Sequence, residues 1–285
     1  MGGYRTRRIS VMRPQKTETM NKVTDKIQRT LSKSRLITLI CVKIRNQANA
    51  VIGFYLGESA NSSVNGEYSL LKQLAPLCTY FVDVGANKGE WTEHFIKYSD
   101  ASGSLFEPSS SAFSILSEKF SNSCLDLHRL AVADYEGTAL YIEEPDCGET
   151  SSIAETHIPC AISPHEVSVC TIDSMFLDSD TNIDYLKIDV EGFDCKVLLG
   201  AKGMLAAKRI KYVQFEYNSC WVLAGHSLSQ TITYLNSLRY DIFIIRSTGL
   251  HPVNYETWGD YYRYSNFFAC MHDDKTIQPI IKYKI

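Results

Sequence analysis

Short apolar runs that alternate with segments of helical periodicity predict an α/β fold, with a mostly parallel sheet covered by helices on both faces. The runs YFVDV (Tyr80–Val84), YLKIDV (Tyr185–Val190) and IKYVQFEY (Ile210–Tyr217) are nearly continuous in apolar residues, as strands buried on both faces are. Between the runs, apolar residues recur at helical spacing, as at Phe113, Leu116 and Phe120. Residues 1–60 lack this alternation and read as a basic, partly helical extension. The stretch ESANSSVNG at 58–66 reads as a linker or loop before the main domain, assigned to 61–285.

Within the extension, Val23, Ile27 and Leu31 form a narrow helical stripe, and Met12 or Met20 could be the start. Apolar positions 70, 71 and 74 predict a short helix ended by Pro76. Tyr80–Val84 is the first strand, Gly85–Gly89 a tight turn and Glu90–Tyr98 a helix. Gly103–Glu107 is the second strand, and Pro108 suits a helix start. Leu125–Ala133 is the third strand, turned by Tyr135–Gly137 into Thr138–Ile142, and residues 143–166 read as loop. The fourth strand, Tyr185–Val190, leads into a helix over Phe193–Leu205, and Ile210–Tyr217 is the fifth strand. A helix over Leu228–Leu238, a strand over Tyr240–Ile245 and a last strand over Ser265–Met271 complete the pattern. Ligands of such folds bind at the carboxyl ends of the strands, near the switch point.

Composition narrows the class. With 45% apolar and 21% charged residues, the 285-residue chain can build a full core and is neither disordered nor collagen-like. Apolar runs such as Leu36–Val42 are too short to span a bilayer, and no secretory signal is read at the N-terminus. Nine cysteines make neither a CxxC pair nor a Cys/His cluster. They read as reduced residues of a cytoplasmic protein, with no structural zinc. Residues 1–45 hold 12 Lys and Arg against two acids, while the rest holds 17 basic and 30 acidic residues. Such an arm is either a solvated extension or a contact for anions, nucleic acid or an anionic membrane surface.

The first strand ends in DVGANKG, Asp83 to Gly89. Gly85 permits a sharp turn and close backbone approach, and Gly89 lets the next helix sit near the sheet. The spacing is neither G-x-G-x-x-G nor a phosphate-binding G-x-x-x-x-G-K-[ST]. An acid just before the turn, Asp83, suits a cationic ligand such as an ammonium or sulfonium. Glu107 ends the second strand, 24 residues after Asp83. That is where a carboxylate grips a ribose diol in nucleoside-binding α/β folds. The alternative readings are a plain strand–helix connection and a helix-start acid.

FVDVGANKGEWT, LFEPSSSAFSIL, AVADYEGTAL, YLKIDVEGFDCKVLLGA and VQFEYN occur in this order between residues 81 and 218, within a resemblance that covers about residues 64–271. This series resembles the FkbM-type family of S-adenosylmethionine-dependent methyltransferases, most specifically in Lys187–Gly192, KIDVEG. The resemblance implies a class I (Rossmann-like) methyltransferase fold: a seven-stranded, mostly parallel sheet with the last strand antiparallel. It implies S-adenosylmethionine as cofactor, with its methionine part at Asp83, Gly85, Ala86, Asn87 and Gly89. Glu107 is then the ribose acid, and Ala131 and Val132 lie beside the adenine. Asp189 and Glu191 face the methyl group as catalytic residues, and Glu216 and Asn218 border the acceptor on the same rim. Asn65-Gly66-Glu67 also matches, so Glu67 is expected to fold over the cofactor.

Asp189 and Glu191 read in three ways: a general base for a hydroxyl, oxygen ligands of a divalent metal, or helix-start acids paired with Lys187 or Lys196. No metal residue is assigned. No histidine is better placed, although His157, His165 and His226 lie in or beside loops. The C-terminal aromatics, among them Phe215, Tyr217, Trp221, Tyr255, Trp258, Tyr261 and Tyr262, read either as core or as an acceptor platform. The expected activity is O-methylation of a hydroxyl on a sugar or glycosylated metabolite or lipid. The alternatives are N-methylation and a nucleoside-binding module without catalysis. The expected partner is a small-molecule or glycan acceptor, not nucleic acid, with peripheral contact to an anionic membrane through the arm.

Overall fold

A computed structural model of the chain describes residues 15–141, 165–222 and 224–282. It divides into two compact units, Met1–Ile52 and Gly53–Ile285. In the first, helix α1 (Gln15–Leu31) is followed by helix α2 (Arg35–Tyr55), which runs into the second unit. No residue from 22 to 52 is buried. Residues 53–60 pack with the second unit although composition groups them with the extension, because Leu56 enters its core at 2% exposure.

The second unit runs α3 (Ser62–Asn65), α4 (Glu67–Leu74), β1 (Tyr80–Val84), α5 (Glu90–Ile96), β2 (Ser102–Phe106), α6 (Ser110–Lys119), β3 (Leu125–His128), β4 (Ala131–Val132) and β5 (Gly137–Tyr141). It continues β6 (His165–Cys170), α7 (Ile172–Phe176), β7 (Ile183–Ile188), α8 (Asp194–Gly200), α9 (Lys202–Ala206) and β8 (Ile210–Tyr217). It closes with α10 (Leu228–Ser237), β9 (Tyr240–Arg246), β10 (Gly249–Pro252), α11 (Tyr255–Trp258) and β11 (Ser265–Met271). The main sheet has the order β10-β9-β11-β8-β7-β1-β2-β3. Strands β3, β2, β1, β7 and β8 are parallel, and β11 inserts antiparallel between β8 and β9. This is the mostly parallel α/β sheet of a class I methyltransferase, with the last strand antiparallel as expected.

Alternate residues of each strand feed opposite cores, as the two-residue period requires. Val82, Leu186, Val213 and Phe267 pack with α7–α10, including Ile172, Val197, Met204 and Leu235. Phe81, Tyr185, Tyr212 and Phe268 pack with α4–α6, including Leu71, Phe95 and Leu116. Capping boxes start α7 (Thr171 with Ser174) and α10 (Ser227 with Gln230). Helix α6 begins at Ser110, two residues after Pro108 where a start was expected, and Ser109 caps it by accepting from the Ala112 amide.

Four details correct the sequence reading. Among the described residues the main sheet has eight strands, not seven, because β10 folds back on β9 as a hairpin. The expected third strand breaks at Arg129–Leu130: β3 stays in the main sheet, while β4 joins a three-stranded sheet of order β4-β6-β5. Strand β6 starts where a loop was expected; the rest of that loop, His157 included, lies outside the described residues. The helix expected over Phe193–Leu205 is two helices. Asp173 accepts from the Gly203 and Met204 amides at 2.6 and 2.9 Å and so caps a fresh N-terminus at α9.

β1 has β2 on one side and β7 on the other, so the chain reverses direction across the sheet between them. The crevice at their carboxyl ends is the switch point. Gly85 turns the chain there with φ +78°, and a Cβ on it would run into the Asp189 carbonyl. Gly85→Ala is therefore expected to lower stability by about 1–3 kcal/mol, the scale of left-handed strain at a non-glycine residue. Denaturant unfolding with an unchanged midpoint would show that the turn relaxes freely.

Candidate active site

At the switch point the strand ends open into a cavity of about 490 Å³, within the range of small-molecule sites. Gly85, Ala86, Asn87, Glu107, Ala131, Val132, Asp189, Glu191, Glu216 and Asn218 all line it. With Glu67, eleven of the thirteen cofactor- and acceptor-site residues named from sequence therefore line this cavity. Asp83 and Gly89 do not. Asp83 lies beneath the turn at 0% exposure, and Gly89 holds a positive φ against Phe120 at the start of α5.

The turn after β1 is fixed by β2. The Gly85 and Ala86 amides donate to the Phe106 carbonyl at 2.9 and 3.0 Å. One Glu107 oxygen accepts from the Asn87 amide and the other from the Ser109 amide, each at 2.8 Å. A carboxylate offers about four lone-pair sites, so two amide bonds are compatible with acceptance of a diol. Glu107 thus orders the turn as well as lining the cavity, a second task the 24-residue spacing does not reveal.

Beneath and beside the turn, acids gather around one buried cation. Lys187 on β7 is neighbour in register to Asp83 on β1 and Gln214 on β8. Its Nζ donates to Asp189 Oδ2 at 3.0 Å and lies 3.9 Å from Asp83 Oδ1. Thr92 donates to the other Asp83 oxygen at 2.6 Å. Burial, partly offset by Lys187, raises the proton affinity of Asp83 and of Glu67. Burial alone would depress Lys187, but Asp189, Asp83 and Glu67 outweigh it and hold the ammonium charged. The pairing of Asp189 with Lys187, one of the alternatives open in the sequence, is therefore present together with Asp189's place on the cavity wall.

Glu67 is 4% exposed, lines the cavity and accepts from Asn266 Nδ2 at 2.6 Å and Asn65 Nδ2 at 3.3 Å. Glu216, next to last in β8, is 7% exposed and accepts from Asn218 Nδ2 at 2.6 Å. Burial first, then the neighbouring charges of Asp189, Glu191 and Asp194, push its carboxyl well above the usual range. Asp189, Glu191 and Glu216 each bring a carboxylate oxygen within 4.8 Å of the others. Among the described residues no histidine lines the cavity. His128 instead stacks on Phe106 with centroids 4.7 Å apart, and His94 stacks on Tyr68 at 3.7 Å.

Of the aromatic residues considered in the sequence, Phe215, Tyr217 and Trp221 are core. The rings on the cavity wall are Tyr68, Trp91, Phe106, Tyr141, Phe193 and Tyr264, residues that periodicity alone marks as ordinary helix, strand or loop positions. Asp194 is a further residue missed. It is fully buried, accepts from the Glu216 amide at 3.0 Å, and is pushed up to about 8 by burial and the nearby Asp189 charge. Its position at the start of α8 gives no hint of this.

A folded-state value above the unfolded one means that the native protein binds the extra proton, so stability falls as pH rises between the two values. For Asp194 the window runs from its ordinary value of 3.8 to about 8. Asp194→Asn is expected to flatten the decline of melting temperature between about pH 5 and 8. An unchanged slope would place the proton elsewhere.

A family model for the methyltransferase FkbM domain matches residues 83–242. No curated protein matches the chain. Among solved structures, the chain is similar to an rRNA methylase from Streptococcus thermophilus, at 11% identity and TM-score 0.40, covering 72% of this chain and 94% of that one. It is similar to the O-methyltransferase TomG from Streptomyces achromogenes at 11% identity and TM-score 0.38, covering 72% and 79%. A further likeness is to an S-adenosylmethionine-dependent methyltransferase from Clostridium acetobutylicum, at 8% identity and TM-score 0.43, covering 80% and 99%. The family match takes in the turn after β1, Glu107, the KIDVEG segment and Glu216, and extends over more than half of the sequence. The chain belongs to the FkbM family of S-adenosylmethionine-dependent methyltransferases.

Proposed function

We propose that this protein methylates a hydroxyl group of a sugar, or of a glycosylated metabolite or lipid. The observation that carries the reading is the single cavity that joins the turn and Glu107 to the acidic rim of Asp189, Glu191 and Glu216. The cavity suits the cofactor by its own chemistry. Glu107 presents two acceptor oxygens for a ribose diol, Leu130, Ala131 and Val132 offer an apolar wall for a flat base, and the acids suit a positively charged sulfonium. The turn of Gly85, Ala86 and Asn87 would hold the methionine part, with Asp83 acting through the strand from below. S-adenosylmethionine supplies an electrophilic methyl group.

The chain has two tasks in the transfer. One is alignment: the walls must bring the acceptor oxygen to about 3–3.5 Å from the methyl carbon, in line with the bond that breaks. The other is removal of the hydroxyl proton, for which the rim supplies the acids. Lys187 pairs with Asp189, and burial beside other acids raises the proton affinity of Glu216. A rim rich in carboxylates favours an oxygen acceptor, because a hydroxyl needs its proton accepted while a neutral amine already carries a nucleophilic lone pair. Asn218 and the rim oxygens also match the many hydroxyls of a sugar. The 4.8 Å cluster favours a second reading of the same rim, in which the three carboxylates hold a divalent cation that acidifies the hydroxyl.

Turnover of labelled cofactor with a panel of sugar hydroxyl and amine acceptors tests the reading, and exclusive labelling of amines would overturn it. Glu107→Ala is expected to weaken cofactor binding by about 1.5–3 kcal/mol; full affinity in calorimetry would remove Glu107 from the ribose site. Asp189→Asn, Glu191→Gln and Glu216→Gln are expected to include at least one variant with kcat lowered about 10²–10⁴-fold and cofactor affinity kept. Wild-type turnover in all three would move the base off this rim. Loss of activity with a chelator, restored by Mg²⁺ or Mn²⁺, would select the metal-assisted form.

A further inference from the structure

Helices α1 and α2 expose more apolar surface than a water-facing segment needs. On α2, Leu36, Ile40, Ile44 and Val51 are 69%, 48%, 64% and 70% exposed. Their spacing of four, four and seven residues places them on one helix face. On α1, Val23, Ile27 and Leu31 make a second stripe at 56%, 54% and 43% exposure. Lys22, Lys26 and Arg29 occupy its opposite side, and Lys33, Arg35, Lys43 and Arg45 follow. The only acid from 22 to 52 is Asp25, which pairs with Arg29 at 2.8 Å. These residues bury nothing of their own, so their stripes gain only if something else covers them.

We propose that α1 and α2 lie in the plane of a bilayer surface bearing anionic headgroups, with the stripes in the acyl boundary and the basic residues among the phosphates. Charge selects this occupant. The segment is strongly basic, whereas the sequence after residue 45 carries 30 acids against 17 basic residues and is repelled by an anionic surface. Attraction is therefore confined to the segment that also carries the apolar stripes, the combination expected of an interfacial amphipathic helix. The 21-residue length of α2 would reach across a bilayer. Arg35, Lys43, Arg45 and the amides of Asn46, Gln47 and Asn49 oppose that course, and no described helix is apolar enough to cross. Lys43, at the border of the α2 stripe, can extend its stem along the apolar boundary and keep its ammonium among headgroups.

The test is cosedimentation of the full chain with phosphatidylcholine vesicles with and without phosphatidylserine. Binding is expected to be at least about tenfold tighter to the phosphatidylserine vesicles and to fall as salt rises from about 0.05 to 0.5 M. The triple change Leu36→Ser, Ile40→Ser, Ile44→Ser should abolish it. Lys33→Gln, Arg35→Gln and Lys43→Gln should weaken it by about fivefold per charge while leaving the helices intact by circular dichroism. Calorimetry with S-adenosylhomocysteine should give the wild-type result for both sets. Equal binding to the two vesicle types, or to neither, would overturn the proposal. So would a dimer in sedimentation that the serine variant converts to monomer, since the stripes would then cover a second copy of the chain.

Discussion

The site is organised by one buried ammonium. Lys187 sits near the carboxyl end of β7, next in register to Asp83 of β1, and its Nζ reaches Asp189 where the chain leaves the sheet. Removing an ion from water costs several kcal/mol, and the cost is recovered only with close partners of opposite charge. Asp189 and Asp83 provide them, with the Trp91 ring 5.9 Å from Nζ on another side. The pairing ties together the two neighbouring strands, β1 and β7, at whose carboxyl ends the crevice opens. Three acids share this one cation, so burial raises the proton affinity of the two deepest, Asp83 and Glu67.

The same economy of charge separates the acids on the rim. Asp189 is held by Lys187, while Glu216 shares its surroundings with Asp189, Glu191 and Asp194 and is pushed towards the neutral form. Carboxyl groups a few ångströms apart in such different surroundings can divide charge stabilisation from proton transfer. The difference arises from which neighbour each side chain meets, not from residue type. Asp194 extends the effect one layer deeper, where its carboxyl takes the backbone amide of Glu216 and fixes the position of that side chain.

Much of this was legible in the sequence because it is local. The bounds of β1, β8 and β11 follow from apolar runs, and the turn and Glu107 follow from glycine chemistry and the spacing of an acid. What escaped depends on partners distant in the chain. His165–Cys170 alternates in the manner of a strand, with Val167 and Val169 inward, but only its pairing with Ala131–Val132 shows why the third strand breaks. Asp83 was expected to face the ligand, yet the strand register sets it beside Lys187 under the turn. Nothing near Asp194 in sequence announces that it will be sealed from water.

The antiparallel insertion of β11 also bears on how the molecule comes into being. This strand follows every other strand of the main sheet in sequence, yet it lies between β8 and β9, which cannot pair with each other in its place. Asn266 on β11 then donates to Glu67, a residue 199 positions earlier. Loop-closure entropy makes such long-range contacts slow to form. The early strands can assemble around β1 as the chain is made, but β9 and its hairpin must wait for β11. The ribosome must therefore release the chain through β11 before the wall that carries Glu67 is locked, and until then the edge of β8 is an open template for a strand of another nascent chain.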